Sequence, residues 1–217
     1  MGAVRTFCVL AIFLLCSLFY PSGAQGAEFT PADELRLSRG EVLVDATRAP
    51  MGSGTRISAA IDVSLPAALV WPVMTDCERA PTFVPGLSSC RVLQRDAGGA
   101  WDIREHISSP GWPLPDFRTV FRSTYDPTRS VHFSRVDGDL KRSEGEWLLL
   151  PLHGGASTRI VYVAEVEYDT WAPAFILRDH LAAQMRRVLL ALRRECTVTA
   201  GPEYQHDIPK ASASGAS

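Results

Sequence analysis

The chain has 217 residues, 46% of them hydrophobic and 21% charged, with a formal net charge of −2 at pH 7. That is enough apolar mass for a real core. The charge excess is small and of the wrong sign for a nucleic-acid footprint, which needs a basic stripe. Of the basic residues only Lys141 and Lys210 are lysines, a bias that reads as codon usage rather than function.

The N-terminus carries Arg5, then an almost wholly apolar run from Phe7 to Tyr20, then small residues at Ser22-Gly23-Ala24 and Ala24-Gln25-Gly26. This order is that of a secretory signal peptide, and the run falls short of the ~20 residues a spanning helix needs. An uncleaved anchor is the alternative, and length decides against it. Cys16 follows the bulky Leu15 and does not suit lipidation. The expectation is a cleaved leader over residues 1–26 and a periplasmic or secreted mature protein. No other segment has the length and apolarity to cross a bilayer. About 190 residues remain, one domain on the usual length prior.

Of the five cysteines, Cys8 and Cys16 leave with the leader, and Cys77, Cys90 and Cys196 stay. Cys77 and Cys90 are near in sequence and can bridge in an oxidising compartment; buried free thiols are the alternative. No CxxC is present, which removes support for thiol-redox chemistry.

Thr30-Pro31-Ala32-Asp33 reads as a helix start, with a hydroxyl N-cap, proline in the first turn and an acid three residues on; Gly40 suits its end. Glu41 to Ala46 forms a short strand, 50–54 a flexible turn, and Arg56 to Val63 alternates as a half-buried strand. Ser64-Leu65-Pro66 opens a helix to about Asp76, which Pro72 should bend. Asp76 to Phe83 is a further helical turn. Six strand-length segments follow: Ser88–Gln94, Ala100–Ile107, Phe117–Tyr125, Ser130–Val136, Gly145–Leu152 and Thr158–Tyr168. Turn residues separate them, as in a meander of antiparallel hairpins. One connection differs: Ser108 to Asp116 is long, holds three prolines and presents Trp112. The last element is a long helix from Pro173 to about Cys196, with Leu177, Leu181, Met185, Val188 and Leu192 on one face and arginines on the others. The tail, 198–217, is Ala/Ser/Gly-rich and is expected to be disordered. The domain plan is therefore leader 1–26, a helix-and-strand extension 27–55, a core domain 56–197 and the tail.

A strongly twisted antiparallel sheet cannot lie flat along a single helix. It curls partly around the helix and leaves a gap, a favoured place for small ligands. The fold class is α+β: a curved antiparallel sheet around a long C-terminal helix, with two short helices after the first core strand.

Val70-Trp71 through Thr75-Asp76, with Pro81-Thr82-Phe83-Val84-Pro85-Gly86-Leu87, resembles the helix-pair signature of the START-like polyketide cyclase/dehydrase and coenzyme-Q-binding superfamily. Gly138-Asp139-Leu140-Lys141, Gly145-Glu146-Trp147 and Thr158-Arg159-Ile160-Val161-Tyr162 resemble its later strands, and Pro173 to Leu192 its closing helix. Trp112-Pro113-Leu114-Pro115-Asp116 is similar to a loop of START-type lipid-binding domains. The likeness spans roughly Arg56 to Cys196 and lies in order and spacing. It implies a helix-grip, Bet v 1-like fold around an apolar cavity whose ligands are lipids, quinones, polyketides or hydrophobic hormones, with a minority of members enzymatic. The sequence departs from the pattern at Pro72 and at Phe117-Arg118, both near the expected cavity entrance.

Strand alternation sorts side chains into faces. It places Trp101, Ile103, Glu105 and Ile107 toward the cavity and Asp102, Arg104 and His106 away from it. Phe117, Thr119, Phe121 and Tyr125 face inward on the next strand, followed by Val131, Phe133 and Arg135, then Trp147, then Tyr162. With Phe83 from the helix pair, Leu177 and Leu181 from the last helix, and Trp112 as a lid or membrane-touching residue, these form the expected lining; core packing is the alternative for each aromatic. Glu105 and Arg135 are either a buried pair or polar groups that orient a ligand, unless a bulge turns one of them to solvent. His106 and Arg104 have the chemistry for acid–base work in a cyclase, but alternation assigns them to the outside. The histidines lack metal-ligand spacing, and no phosphate loop or nucleophile elbow occurs, so neither metal nor cofactor is expected. The reading is a non-catalytic, exported binder of a hydrophobic molecule, with transient contact to a membrane surface. The alternatives are a cyclase/dehydrase acting in the same cavity, and an accessory domain with no usable cavity.

Overall fold

The computed structural model describes residues 28–202, apart from 51, 53, 113 and 170–172. The leader and most of the tail expected from sequence lie outside these residues. The described residues form α1 (Pro31–Ser38), β1 (Leu43–Arg48), β2 (Thr55–Val63), α2 (Ala67–Thr75), α3 (Ala80–Phe83), β3 (Leu87–Arg95), β4 (Trp101–Ser108), β5 (Phe117–Asp126), β6 (Ser130–Gly138), β7 (Arg142–Leu152), β8 (Ser157–Glu167) and α4 (Ala174–Ala200).

Local chemistry explains the boundaries. Thr30 Oγ1 accepts from the Asp33 amide at 3.2 Å while the Asp33 carboxylate accepts from the Thr30 amide at 3.1 Å, a reciprocal capping box that starts α1. Pro72 sits inside α2, which ends at Asp76 in extended backbone. Gly154, at φ 68°, supplies the left-handed turn between β7 and β8. α4 runs to Ala200, one turn beyond the expected Cys196.

All eight strands join one curved antiparallel sheet in the order β1-β2-β8-β7-β6-β5-β4-β3. The six later strands follow one another as the expected meander. β2 closes the arrangement by pairing with β8 over its whole length, Thr55 opposite Val166 through Val63 opposite Thr158. β1 adds an outer strand to β2.

α4 lies over β1 and β2 and against α2. There the interior is a continuous apolar core in which Ile61, Val63, Val70, Val73 and Ile160 cluster with Leu177, Leu189, Leu192 and Cys196. Because the sheet curves away toward β3, one straight helix cannot fill the other half. On the convex side, α1 buries Leu37 against Ala60 and Val161. Arg159 reaches Glu34 at 2.5 and 2.8 Å and Asp62 at 2.7 and 3.1 Å, pinning α1 to the sheet. Two helix arginines do more than meet solvent: Arg186 donates to the Val42 carbonyl at 2.8 Å and Arg193 to the Gly40 carbonyl at 2.9 Å, docking the segment before β1.

Candidate functional site

Between the unfilled half of the sheet, α3 and α4 lies a cavity of about 330 Å³, the size of genuine small-ligand sites. Its floor is the concave face of β4 to β8; Leu181, Gln184, Met185, Val188 and Leu192 of α4 cover it, and Phe83 to Leu87 close one side. Gln184 Nε2 donates to the Pro85 carbonyl at 2.5 Å and ties α4 to that segment. Gly86 is at φ 78°, a left-handed conformation that favours glycine, and a Cβ there would also push on the Gln184 amide, 2.8 Å away. The Ser109 amide donates to the Gly86 carbonyl at 2.7 Å, which brings the β4–β5 connection to the same rim, where Pro110 lines the cavity.

Aromatic residues cross the floor from strand to strand. Phe121 meets Phe133 edge-on at 5.9 Å between ring centroids, Phe133 stacks on Tyr162 at 6.1 Å, and Trp147 tilts against Tyr162 at 4.5 Å. These spacings suit aromatic attraction without closing the space above the rings. Burial pushes the Tyr162 and Tyr168 phenols well above their ordinary range.

The β4 end of the cavity is polar, and here the expected faces are reversed. Arg104, His106 and Ser108 line the cavity. β4 pairs with β5 so that Arg104 opposes Phe121 and His106 opposes Thr119. Directly opposed residues share a face, so the inward set of β5 carries the even-numbered residues of β4 inward with it. The cost of burying charge is met by pairing. Arg104 Nε donates to Asp102 Oδ1 at 3.0 Å and Nη2 to Oδ2 at 2.5 Å; the Tyr125 hydroxyl donates to Asp102 Oδ2 at 2.8 Å and also meets Arg104. Asp102 is 2% exposed. Burial pushes the Tyr125 phenol up to about 12.

His106 packs edge-on to Phe121 at 4.6 Å. Desolvation, with Arg104 second, drives its pKa down to about 4 and keeps the ring neutral. Its Nε2 and the Thr119 hydroxyl are both buried and have no hydrogen-bond partner among the described residues.

Trp101 and Glu105 accordingly lie on the outer face. Trp101 lies under the Arg122 guanidinium, 4.2 Å from ring centre to Cζ. Glu105 pairs with Arg91 and, at 2.6 Å, with Arg118, which also holds Asp137 at 2.9 Å. Arg91 first, then Arg118, holds the Glu105 carboxyl below its usual range. Glu105 and Arg135 do not pair. Val120 opposes Asp137 while Phe121 opposes Arg135, so Val136 is an extra, bulged residue. Arg135 is exposed and donates to the Gly138 carbonyl at 2.7 Å. Leu177 belongs to the packed core rather than the cavity wall. Trp112 is 75% exposed on the β4–β5 connection and is not among the residues that line the cavity. Phe83, Phe121, Phe133, Trp147, Tyr162 and Leu181 all stand on the wall; alternation inverted β4, setting Arg104 and His106 outside and Trp101 and Glu105 inside, and it missed the bulge that turns Arg135 out.

Cys77 and Cys90 form a disulfide with Cα atoms 5.3 Å apart, fastening the turn after α2 to β3. His106 offers a nitrogen within 4.8 Å of both sulfurs, but bridged sulfurs are not thiolates and do not supply metal ligands. Cys196 is buried on the core-facing side of α4, and that burial pushes its thiol up to about 12.

Residues 63–193 match the family described as polyketide cyclase / dehydrase and lipid transport. No curated protein matches the chain. Among solved structures, a STAR-related lipid transfer protein from Xanthomonas axonopodis superposes with a TM-score of 0.61 at 16% identity, over 71% of this chain and 93% of that one. A START superfamily protein from Mycobacterium smegmatis gives 0.58 at 17% identity, over 65% and 96%. The Zhui aromatase/cyclase from Streptomyces sp. R1128 gives 0.57 at 16% identity, over 68% and 96%. At these identities the likeness establishes the helix-grip fold.

Proposed function

The chain belongs to the polyketide cyclase / dehydrase and lipid transport family, and on that premise we propose that it is an exported carrier of a hydrophobic small molecule. The carrying observation is the cavity of about 330 Å³ with its aromatic floor and aliphatic roof. Buried aromatic faces exposed to an interior space gain most when an apolar ligand fills it. Isoprenoid quinones, lipids and aromatic polyketides are the ligand classes. The leader-like N-terminus and the Cys77–Cys90 bridge support a working place outside the cytoplasm. Trp112, and Phe175 in the first turn of α4, are exposed and act as apolar contacts with a membrane surface during exchange.

A cyclase or dehydrase in the same cavity is the second reading, because Arg104, His106 and Tyr125 gather at one end of the wall, with the buried Asp102 bonded to Arg104 and Tyr125. Acid–base catalysis works best when a group titrates near the operating pH. His106 near 4 and Tyr125 near 12 sit on opposite sides of neutrality, which favours carriage. The test is titration with a neutral apolar fluorophore, displaced in turn by a quinone, a phospholipid and an aromatic polyketide. Saturable binding that Val188→Trp abolishes, by filling the cavity from α4, supports the carrier. Binding unaffected by that substitution refutes it.

A further inference from the structure

The polar end of the cavity holds two groups of different standing. Asp102, Arg104 and Tyr125 satisfy one another. His106 Nε2 and Thr119 Oγ1 do not: both are buried, both residues line the cavity, and neither atom has a hydrogen-bond partner among the described residues. The two residues are directly opposed on β4 and β5, a register that brings Cβ atoms to about 5 Å. A buried polar atom left unpaired forfeits its hydration with nothing in return, so these atoms mark a place where a partner is expected. Resting on the carrier reading above, we propose that His106 and Thr119 together recognise a neutral hydroxyl group on the bound ligand, an alcohol or phenol carried on an apolar skeleton.

The chemistry selects a hydroxyl. A hydroxyl donates once and accepts twice, and a threonine hydroxyl does the same. One ligand hydroxyl therefore bridges Thr119 and His106 whichever ring nitrogen carries the proton, whereas a carbonyl needs hydrogen on Nε2. A carboxylate would need a free cation. Arg104 commits Nε and Nη2 to Asp102, and His106 is neutral well above its pKa of about 4. The edge contact of His106 with Phe121, and the run of Phe133 and Tyr162 beyond it, place an apolar surface directly beside the polar point. A flat skeleton lying on those rings presents its hydroxyl to the His106–Thr119 pair.

The test compares 2-naphthol, 2-methylnaphthalene and 2-naphthoate by calorimetric or fluorescence titration at pH 7. The parent protein is expected to bind naphthol about tenfold more tightly than methylnaphthalene, the equivalent of about 1.4 kcal/mol, and naphthoate more weakly than naphthol. His106→Phe/Thr119→Val is expected to bind naphthol and methylnaphthalene equally, with methylnaphthalene within about twofold of the parent. Thr119→Val alone, nearly isosteric, removes part of the preference and serves should the double variant not fold. Equal binding of naphthol and methylnaphthalene by the parent, a preference that survives in the variants, or tighter binding of naphthoate overturns the inference while leaving the carrier reading standing. Failure of the parent to bind any of the three overturns both.

Discussion

Replacing Arg104 with methionine tests whether the polar end of the cavity is a closed electrostatic unit. Asp102 is 2% exposed and takes both Arg104 contacts as a bidentate pair, with Tyr125 as a third donor at 2.8 Å. Arg104→Met strands a buried carboxylate, and breaking such a pair by removing one partner costs about 3–5 kcal/mol. The remaining Tyr125 hydrogen bond to the charge recovers part of this, so the expected loss is about 3 kcal/mol. Asp102→Asn/Arg104→Met removes the stranded charge while keeping a partner for Tyr125, and its expected cost is about 1 kcal/mol, since replacing a whole buried pair is often neutral. Urea unfolding reads both: with a slope of about 2 kcal/mol/M, the single variant shifts the midpoint by roughly 1.5 M and the double by roughly 0.5 M. A single variant within about 0.5 kcal/mol of the parent, or a double variant worse than the single, refutes the assignment of a buried, mutually satisfied cluster.

Four further outcomes follow from the same geometry. The folded-state pKa of His106, about 4, lies below its ordinary 6.5; the unfolded chain therefore binds the extra proton, and the neutral ring's contribution is complete above pH 6.5 and lost as pH falls toward 4. The expected decline over that window is about 3 kcal/mol, readable as a pH series of unfolding midpoints that flattens in His106→Phe. Cys77→Ser/Cys90→Ser opens a short loop and should cost about 3 kcal/mol, with reductant lowering the parent's midpoint to match. Glu105→Ala lies on the convex face and should leave ligand affinity within about twofold, measured by the same titration; a larger change would place Glu105 in the cavity after all. Trp112→Ala/Phe175→Ala should lower partition onto anionic vesicles on the order of tenfold, with affinity for free ligand unchanged in solution.

Fold and cavity were largely legible because they depend on repeated patterns. Six strand-length segments broken by turn residues admit little besides a meander, and Leu177, Leu181, Met185, Val188 and Leu192 at helical spacing mark the one face of α4 that can meet it. The aromatic floor was legible for the same reason: Phe121, Phe133, Trp147 and Tyr162 each sit at the inward phase of a clearly alternating strand. β4 misled because both of its faces are informative. Trp101, Ile103 and Ile107 make the odd-numbered residues look like the core set, and apolar-inward is the usual rule. What decides the strand is its pairing to β5, where His106 opposes Thr119, and the long 109–116 connection leaves that register unspecified in sequence. Asp102 and Arg104, two residues apart with opposite charges, were the available hint that one face buries a self-satisfied pair. The bulge at Val136 that turns Arg135 outward has no sequence signal comparable to a glycine or proline.

Carriage requires an interior that is hollow in order to hold an apolar guest. Native mass spectrometry of the protein purified from its own source, followed by organic extraction of the same sample, measures this directly. The expected result is a discrete mass added one-to-one to the folded chain, released into the organic phase as a hydroxyl-bearing hydrophobic molecule and lost in the cavity-filling Val188→Trp variant. Repeated recovery of the bare chain, with nothing extractable and no uptake when quinone, lipid and polyketide extracts are added back, would contradict it.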